Sequence, residues 1–206
     1  MAFEAVEEGL FRALNGAGSN PALDAAALLL DVSALAYIIV LWAAQLWWVR
    51  RRALAFDFVL ALVVSIVVVE ALKFAIGRSR PIDVYPGVHV LAPLFPSEVW
   101  DPAFPSGHTA RAFVFAILLG LHERKWLPGL VPYAILVGLA RVYEGAHYPS
   151  DVLGGAVAGI GFGVLFWKLD TVPAYVRLRE RLIGRWLSPG PGARGGSTSP
   201  PDQGPS

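Results

Sequence analysis

The chain has 206 residues and a mass of 22.1 kDa, with 55% hydrophobic against 16% charged residues and a mean hydropathy of +0.54. This composition excludes an ordinary soluble domain and places the chain in a bilayer. Lys and Arg number 17 against 16 Asp and Glu, a net charge of +1, so no basic excess is available to neutralise a nucleic-acid backbone. The absence of Cys excludes disulfides, thiolate metal ligands and thiol nucleophiles, leaving Ser, Thr, His, Asp or Tyr for any nucleophilic role.

The first twenty residues carry Glu4, Glu7, Glu8 and only Arg12 before the turn Asn15-Gly16-Ala17-Gly18-Ser19-Asn20-Pro21, unlike the basic start and short apolar core of a signal peptide. Phe3, Val6, Leu10, Phe11 and Leu14 recur every three to four residues. They predict a short amphipathic helix that either lies on the membrane surface or packs as a buried helix of the fold. Five apolar blocks follow, roughly 21–49, 53–76, 106–121, 128–143 and 150–168. None shows the period-two alternation of a barrel strand, and backbone inside lipid must satisfy itself, so all five are read as helices against the ~20 residues a span needs. The predicted fold is an all-α integral membrane protein, a compact bundle of five transmembrane helices, six in the alternative count. Residues 1–20 form the N-terminal amphipathic segment and 21–186 the transmembrane domain; 187–206, a Gly/Pro/Ser tail without apolar periodicity, is expected to be disordered.

Basic residues near the block ends set the expected orientation. Arg50, Arg51 and Arg52 follow the first block, Arg124 and Lys125 the third, and Lys168, Arg177, Arg179, Arg181 and Arg185 the fifth, so these three loops face the cytoplasm. The N-terminus, the segment 77–105 and the turn 144–149 then lie together outside. Lys73, Arg78, Arg80, Arg111 and Arg141 break the rule and need another reason.

Three stretches supply one. Lys73 and Arg80-Pro81 close the second block with six residues between the two cations, about two helical turns, although Gly77 is expected to loosen the helix there. Snorkelling of both side chains to the interface is the structural alternative. Pro105-Ser106-Gly107-His108-Thr109 opens the third block, where the free N–H groups of a helix start would face an anion; Ser106 is equally a candidate N-cap, and His108 a satisfied polar residue. Arg141 is followed after five residues by His147, and Asp151 lies four further on, with Pro149 suited to the first turn of a helix. A carboxylate at that spacing can accept the imidazole N–H, or can serve only as a favourable charge at a helix start. All of these groups fall on one membrane face, which favours an anion site with a nucleophile and its orienter.

The three stretches resemble, in order, the signatures of the type 2 phosphatidic acid phosphatases, membrane lipid-phosphate phosphatases related to vanadium haloperoxidases and glucose-6-phosphatase. The likeness runs from Lys73 to Asp151. Leu14-Asn15-Gly16 and Asn20-Pro21-Ala22-Leu23-Asp24 are also similar to the bacterial undecaprenyl-diphosphatase branch. Ala140 departs from the pattern, since a serine commonly precedes the arginine of the third signature. The resemblance implies a phosphatase without metal or cofactor, working through a phosphohistidine. His147 would attack phosphorus, Asp151 would hold its tautomer, and His108 would protonate the leaving oxygen and then activate water. Lys73, Arg80, Ser106, Gly107 and Arg141 would bind the phosphate.

The implied substrate is a lipid phosphate, with a polyprenyl diphosphate first in order, met at an extracytoplasmic site of a multi-pass plasma-membrane protein. The partners implied are that phosphorylated lipid and the surrounding membrane lipids. Phosphatidic acid or phosphatidylglycerol phosphate is the alternative substrate, and transfer of the phosphoryl group to a lipid acceptor is the alternative reaction. A transporter would instead carry polar residues through the full membrane depth. His108, His147, Asp151 and Glu144 could be read as a metal cluster, but the flanking cations would repel a divalent ion and no H-E-x-x-H spacing occurs. Arg111, three residues after His108, has Glu70 as its expected partner; it either braces the site by that ion pair or reads a second phosphate. The third and fourth blocks, sixteen residues each, reach ~24 Å against a hydrocarbon core of ~30 Å, so their outer ends are expected to sit below the surface in a recessed pocket. The segment 82–104, with Tyr85, His89, Phe95 and Trp100, is read as a lid over it or an interfacial tether.

Overall fold

In the computed structural model of the chain, residues 2–16, 20–91 and 101–187 are described, and among them the regular elements are α-helices and one 3-10 turn. They are α1 (Ala2–Asn15), α2 (Pro21–Ser33), α3 (Ala36–Trp48), α4 (Arg52–Ile76), α5 (Pro81–Val84), α6 (Gly107–His122), the 3-10 turn Arg124–Trp126, α7 (Leu127–Tyr143), α8 (Pro149–Leu169) and α9 (Pro173–Leu187). Four of the five apolar blocks become single helices within a residue or two of their expected ends. Leu187, placed in the tail by composition, is the last residue of α9; the rest of that tail lies outside the described residues, as do Phe95 and Trp100.

Helix α6 sits at the centre, flanked by α4, α7 and α8. Ala112, Val114, Ala116 and Leu118 on it have no exposed surface. Small residues make the approach of α8 possible. Gly155, Gly159 and Gly163 recur every four residues along one face of α8; a Cβ on Gly159 would strike the Ala110 carbonyl and lie 2.6 Å from the Phe113 Cβ, and one on Gly163 would lie 2.8 Å from the Ile117 Cβ. Within lipid, where apolar burial no longer drives helices together, such backbone approach supplies the dispersion contact that holds the pair. Around it Ile39, Leu54, Phe58, Leu62, Phe115 and Phe166 close the core towards one end of the bundle.

Helices α4 and α8, and α7 with its preceding turn, are long and apolar enough to cross a membrane. Their outward faces present Val59, Val63, Val67 and Phe74 on α4 and Leu153, Val157 and Leu165 on α8, an apolar surface suited to lipid. The 16-residue α6 is shorter than a usual span and is buried by its neighbours instead.

The first apolar block departs from expectation, because it forms two helices bent by 56° rather than one. Polar groups hold the break. Ser33 donates its hydroxyl to the Leu30 carbonyl at 2.7 Å, the Ala34 N–H turns back to Asp31 at 3.1 Å, and the Ala34 carbonyl accepts from Arg111 Nε of α6 at 3.0 Å. Counted as one bent span, the α2–α3 pair makes a fourth crossing candidate.

Two further helices have divided faces. On α1, Phe3, Val6 and Leu10 are exposed while Glu7, Phe11 and Asn15 are buried against the body, so the helix packs on the fold along one face. Helix α9, which carries Arg177, Arg179, Arg181 and Arg185 of the basic residues expected after the last span while Lys168 lies in the last turn of α8, docks back on the core with Tyr175, Arg179 and Ile183. Tyr175 donates to Asp57 Oδ1 at 2.6 Å, and Arg179 pairs with Asp57 and with Asp170 at 2.7 Å. Burial, reinforced by the bond to Asp57, holds the Tyr175 phenol above its ordinary pKa.

The α6–α8 contact predicts opposite outcomes for two glycines two residues apart. Gly159→Val forces the helices to separate and lowers stability by about 1–3 kcal/mol or more. Gly161→Ala, which meets nothing within 4 Å, is neutral or stabilising by up to about 1 kcal/mol. Thermal unfolding of the detergent-solubilised variants checks both, and equal melting temperatures would refute this packing.

Candidate active site

Helices α6 and α8 begin side by side, and the Ser106 N–H donates to the Asp151 carbonyl at 3.0 Å. That bond sets His108, on the first turn of α6, beside Asp151 on the first turn of α8 and His147 just before it. The end of α4 adds Lys73. Gly77, at φ +64°, terminates that helix with its N–H on the Lys73 carbonyl at 2.8 Å, so Lys73 and Arg80 do not share one helix face. They converge all the same, because both reach Asp101. Lys73 pairs with its carboxylate, from which Arg80 Nη2 lies 3.2 Å away, and Arg80 Nε donates to the Asp101 carbonyl at 2.6 Å.

Arg141, in the last turn of α7, donates to Asp31 of α2 and to Glu144 Oε2 at 2.7 Å. The same Asp31 oxygen lies 3.3 Å from His108 Nε2, so one carboxylate stands between a guanidinium and an imidazole. Lys73, Arg80, Ser106, His108, Arg141, His147 and Asp151 are all buried.

The His147–Asp151 pair is adjacent without a hydrogen bond, with Nδ1 3.7 Å from Oδ2. The carboxylate is fixed by other donors: the Tyr148 N–H to Oδ2 at 2.8 Å and Arg78 Nη1 to Oδ1 at 2.6 Å. An approach of about 1 Å would close the bond to the imidazole. Ser106 occupies the N-cap of α6 without capping it through its side chain; its hydroxyl accepts instead from Thr109 at 3.0 Å. The first-turn N–H groups of a helix have no partner within the helix, and together with the helix dipole they favour an anion here. Gly107 leaves room for charged ends. A Cβ on it would lie 3.2 Å from Arg111 Nη1, 3.8 Å from Lys73 Nζ and 3.9 Å from Glu70 Oε1. Glu70 is also 3.5 Å from Lys73, and Arg111 has the Ala34 carbonyl as an acceptor that no sequence pattern indicated.

A cavity of 460 Å³ opens over the charged groups, with Asp31, Arg78, Arg80, Asp101, Arg141 and Glu144 in its lining; His108 and His147 are not among its lining residues. Its roof includes the start of the segment expected to act as lid or tether. Asn15 of α1 donates to the His89 and Tyr143 carbonyls at 2.7 Å and accepts the His89 N–H at 2.9 Å, while Tyr85 stacks on Phe11 with centroids 6.0 Å apart. His89 Nε2 also lies 3.1 Å from Asp24.

The motif residues thus converge, but the carboxylates facing them were largely missed. Asp31 carried a signal, since a lone acid in an apolar helix is a functional candidate by default. Asp101 sits in a loop without pattern, and Glu7 and Arg78 reveal themselves only as a pair, 71 residues apart, at 2.6 Å. The cations are therefore matched by acids within the chain rather than forming an excess of positive charge. Among the described residues no three His, Asp or Glu side chains are grouped as metal ligands. The Tyr148 phenol, pushed up to about 12 chiefly by burial, stays protonated at neutral pH and is a poor nucleophile.

A family model described as the PAP2 superfamily matches residues 54–172. Among curated proteins, the undecaprenyl-diphosphatase of Sulfolobus acidocaldarius is 28% identical over 135 residues, covering 65% of this chain and 63% of that protein. Undecaprenyl-diphosphatase BcrC of Bacillus subtilis is 36% identical over 103 residues, 48% of this chain and 51% of the relative. The chain thus spans between half and two thirds of the length of these relatives. Among solved structures, LpxE of Aquifex aeolicus superposes with a TM-score of 0.69 at 32% identity, covering 78% of this chain and 93% of that one.

Asp31 provides the stability test of this charge arrangement. Asp31→Ala removes a buried acceptor from Arg141 and a neighbour from His108, and breaking a buried pair from one side costs about 3 kcal/mol or more. Glu144 remains on Arg141 and holds the loss towards that lower figure. A melting temperature equal to wild type would show that Asp31 does not sustain the cluster.

Proposed function

The chain belongs to the PAP2 superfamily, and from that premise we propose that it is a metal-independent membrane phosphatase that hydrolyses a lipid phosphate, with polyprenyl diphosphate first in order, and releases inorganic phosphate. One observation carries the reading: Lys73, Arg80, Arg141, His108 and His147 are buried together at one end of the bundle, with carboxylates of the chain itself on the cations where a phosphate would bind. Undecaprenyl diphosphate, named for two relatives, fits the small transmembrane body and the cavity over the site.

The geometry supports the following chemistry. His147 Nδ1 faces Asp151, which leaves Nε2 to attack phosphorus. A P–N bond forms at the terminal phosphorus as its P–O bond to the leaving group breaks, at the bridging oxygen of a diphosphate or at the lipid oxygen of a monophosphate, and His108 gives its proton to that oxygen. Asp151 stabilises the charge that develops on the His147 ring. Water, deprotonated by His108, then attacks the phosphohistidine and frees phosphate. Lys73, Arg80, Arg141 and the N–H groups near Ser106 and Gly107 stabilise the equatorial oxygens of the transferred group. To reach both histidines, the phosphoryl group replaces the Asp31 carboxylate on Arg141. Ala140 offers no hydroxyl, so the N–H groups carry more of the binding. Arg111, whose Nε is held by the Ala34 carbonyl, braces the site beside Glu70 or reads the second phosphate of a diphosphate.

The site faces outward from the plasma membrane. At the opposite end of the bundle Arg51 pairs with Glu123, Arg124 and Lys125 follow in the adjoining turn, and Arg179 of α9 meets Asp57 and Asp170, the charge bias of a cytoplasmic face. Headgroup depth suits a phosphate whose tail stays in the bilayer.

A phosphate-release panel tests this reading, comparing undecaprenyl diphosphate, phosphatidic acid, phosphatidylglycerol phosphate and glucose 6-phosphate, with and without EDTA and vanadate. The expected order places the polyprenyl diphosphate first and the sugar phosphate last, with activity surviving EDTA and abolished by vanadate, which mimics five-coordinate phosphorus. Loss of activity in EDTA would refute the histidine mechanism, and phosphatidic acid far ahead would reverse the substrate order. Release of phosphate only when a lipid acceptor is absent would mark a phosphotransferase.

A further inference from the structure

Glu7 is out of keeping with its helix. Its neighbours Val6 and Leu10 on α1 are 63% and 53% exposed, whereas Glu7 is 6% exposed, and a carboxylate withdrawn from water is costly unless paired. Its pairing leads straight to the site. Glu7 Oε2 accepts from Arg78 Nη2 at 2.6 Å, and Glu7 Oε1 takes the Ser150 N–H at 3.2 Å and the Ser150 hydroxyl. Arg78 Nη1 donates to Ser150 Oγ and to Asp151 Oδ1, each at 2.6 Å, and its guanidinium lies 4.1 Å from the centroid of the Tyr148 ring. Glu7, Arg78 and Asp151 thus form a line of alternating charge from the N-terminal helix to the carboxylate beside His147.

We propose that Glu7 is a positioning residue of the phosphatase site, holding Arg78 against Asp151 so that α1 must be seated on the body for His147 to be oriented. Two physical effects support the role. A guanidinium held at both edges and stacked on a ring has one orientation, and so has the carboxylate it grips. The second effect is electrostatic. Arg78 alone would neutralise Asp151 and weaken its hold on the cation that develops at His147; Glu7 takes a share of that positive charge and leaves Asp151 its own. Phe11, packed between Tyr85 and Tyr148, and Asn15, bonded to two carbonyls, fix the register of α1 that brings Glu7 to Arg78.

This inference rests on the proposed phosphatase reading, and the test separates the two. Steady-state phosphate release by the full chain is measured with undecaprenyl diphosphate or phosphatidic acid, whichever the wild type hydrolyses, alongside thermal unfolding. Glu7→Gln is expected to lower kcat roughly tenfold to a hundredfold, the scale of a small misplacement of a reacting group, with KM within about twofold and the melting temperature little changed. Arg78→Gln is expected to lose as much, and the double variant no more than Arg78→Gln alone, because Glu7 acts through that residue. Glu8→Gln, which removes a carboxylate whose partner among the described residues is Arg12, keeps wild-type kcat. Glu7→Asp, one methylene shorter with its charge intact, is expected to fall between wild type and Glu7→Gln in kcat, and it carries the test if Glu7→Gln folds poorly. A kcat for Glu7→Gln within twofold of wild type, a kcat for Glu7→Asp equal to wild type where Glu7→Gln folds poorly, or losses that multiply in the double variant would overturn the proposal. A wild-type chain that releases no phosphate from either lipid would overturn the phosphatase reading itself.

Discussion

The close approach of α6 and α8 is the constraint on which the rest depends. Two helices can run at backbone contact only where side chains are absent, and Gly155, Gly159 and Gly163 clear that path against Ser106, Ala110, Phe113 and Ile117. Because the contact begins at the first turn of both helices, it also brings two helix starts together, tied by the Ser106 to Asp151 main-chain bond. His108 and His147 reach one site for that reason. The glycines that pack the bundle and the residues that carry its proposed chemistry are consecutive parts of the same two segments.

Charge compensation is the second organising principle. Five cations gather at one end of a membrane bundle, where unpaired charge is expensive, and the chain answers with Asp31, Asp101, Glu144 and Glu7. These acids come from α2, the loop before α6, the turn after α7 and α1, so the cluster ties together elements far apart in sequence. They also stand where an oxyanion would. Phosphate binding on the proposed reading is thus an exchange of one anion for another, with little net desolvation of the cations, and the α2–α3 elbow beside Asp31 is the element nearest to that exchange.

Legibility in the sequence followed the range of the interaction. Helices α4, α6, α7 and α8 are readable because apolar runs of that length have few alternatives in lipid, and the anion site is readable because its groups lie at short, regular spacings around two helix starts. The α2–α3 break is not readable. It depends on Arg111 reaching Ala34, 77 residues away, and on a serine that bonds back into its own helix. The docking of α9 is hidden for the same reason, since Asp57 and Arg179 meet across 122 residues. Lys73 and Arg80 illustrate the converse. Their spacing suggests one helix face, but Gly77 ends the helix, and convergence comes from Asp101 instead.

On the proposed mechanism His147 is the group that carries the phosphoryl in transit. Rapid quenching of the enzyme during turnover of a substrate labelled in the phosphorus to be transferred, followed by peptide mapping under alkaline conditions that preserve phosphohistidine, locates that group directly. An acid-labile, base-stable label on the peptide containing His147, formed and lost at rates that match turnover and absent from His147→Ala, is the predicted result. Label on another residue, or rapid turnover by His147→Ala, would contradict it.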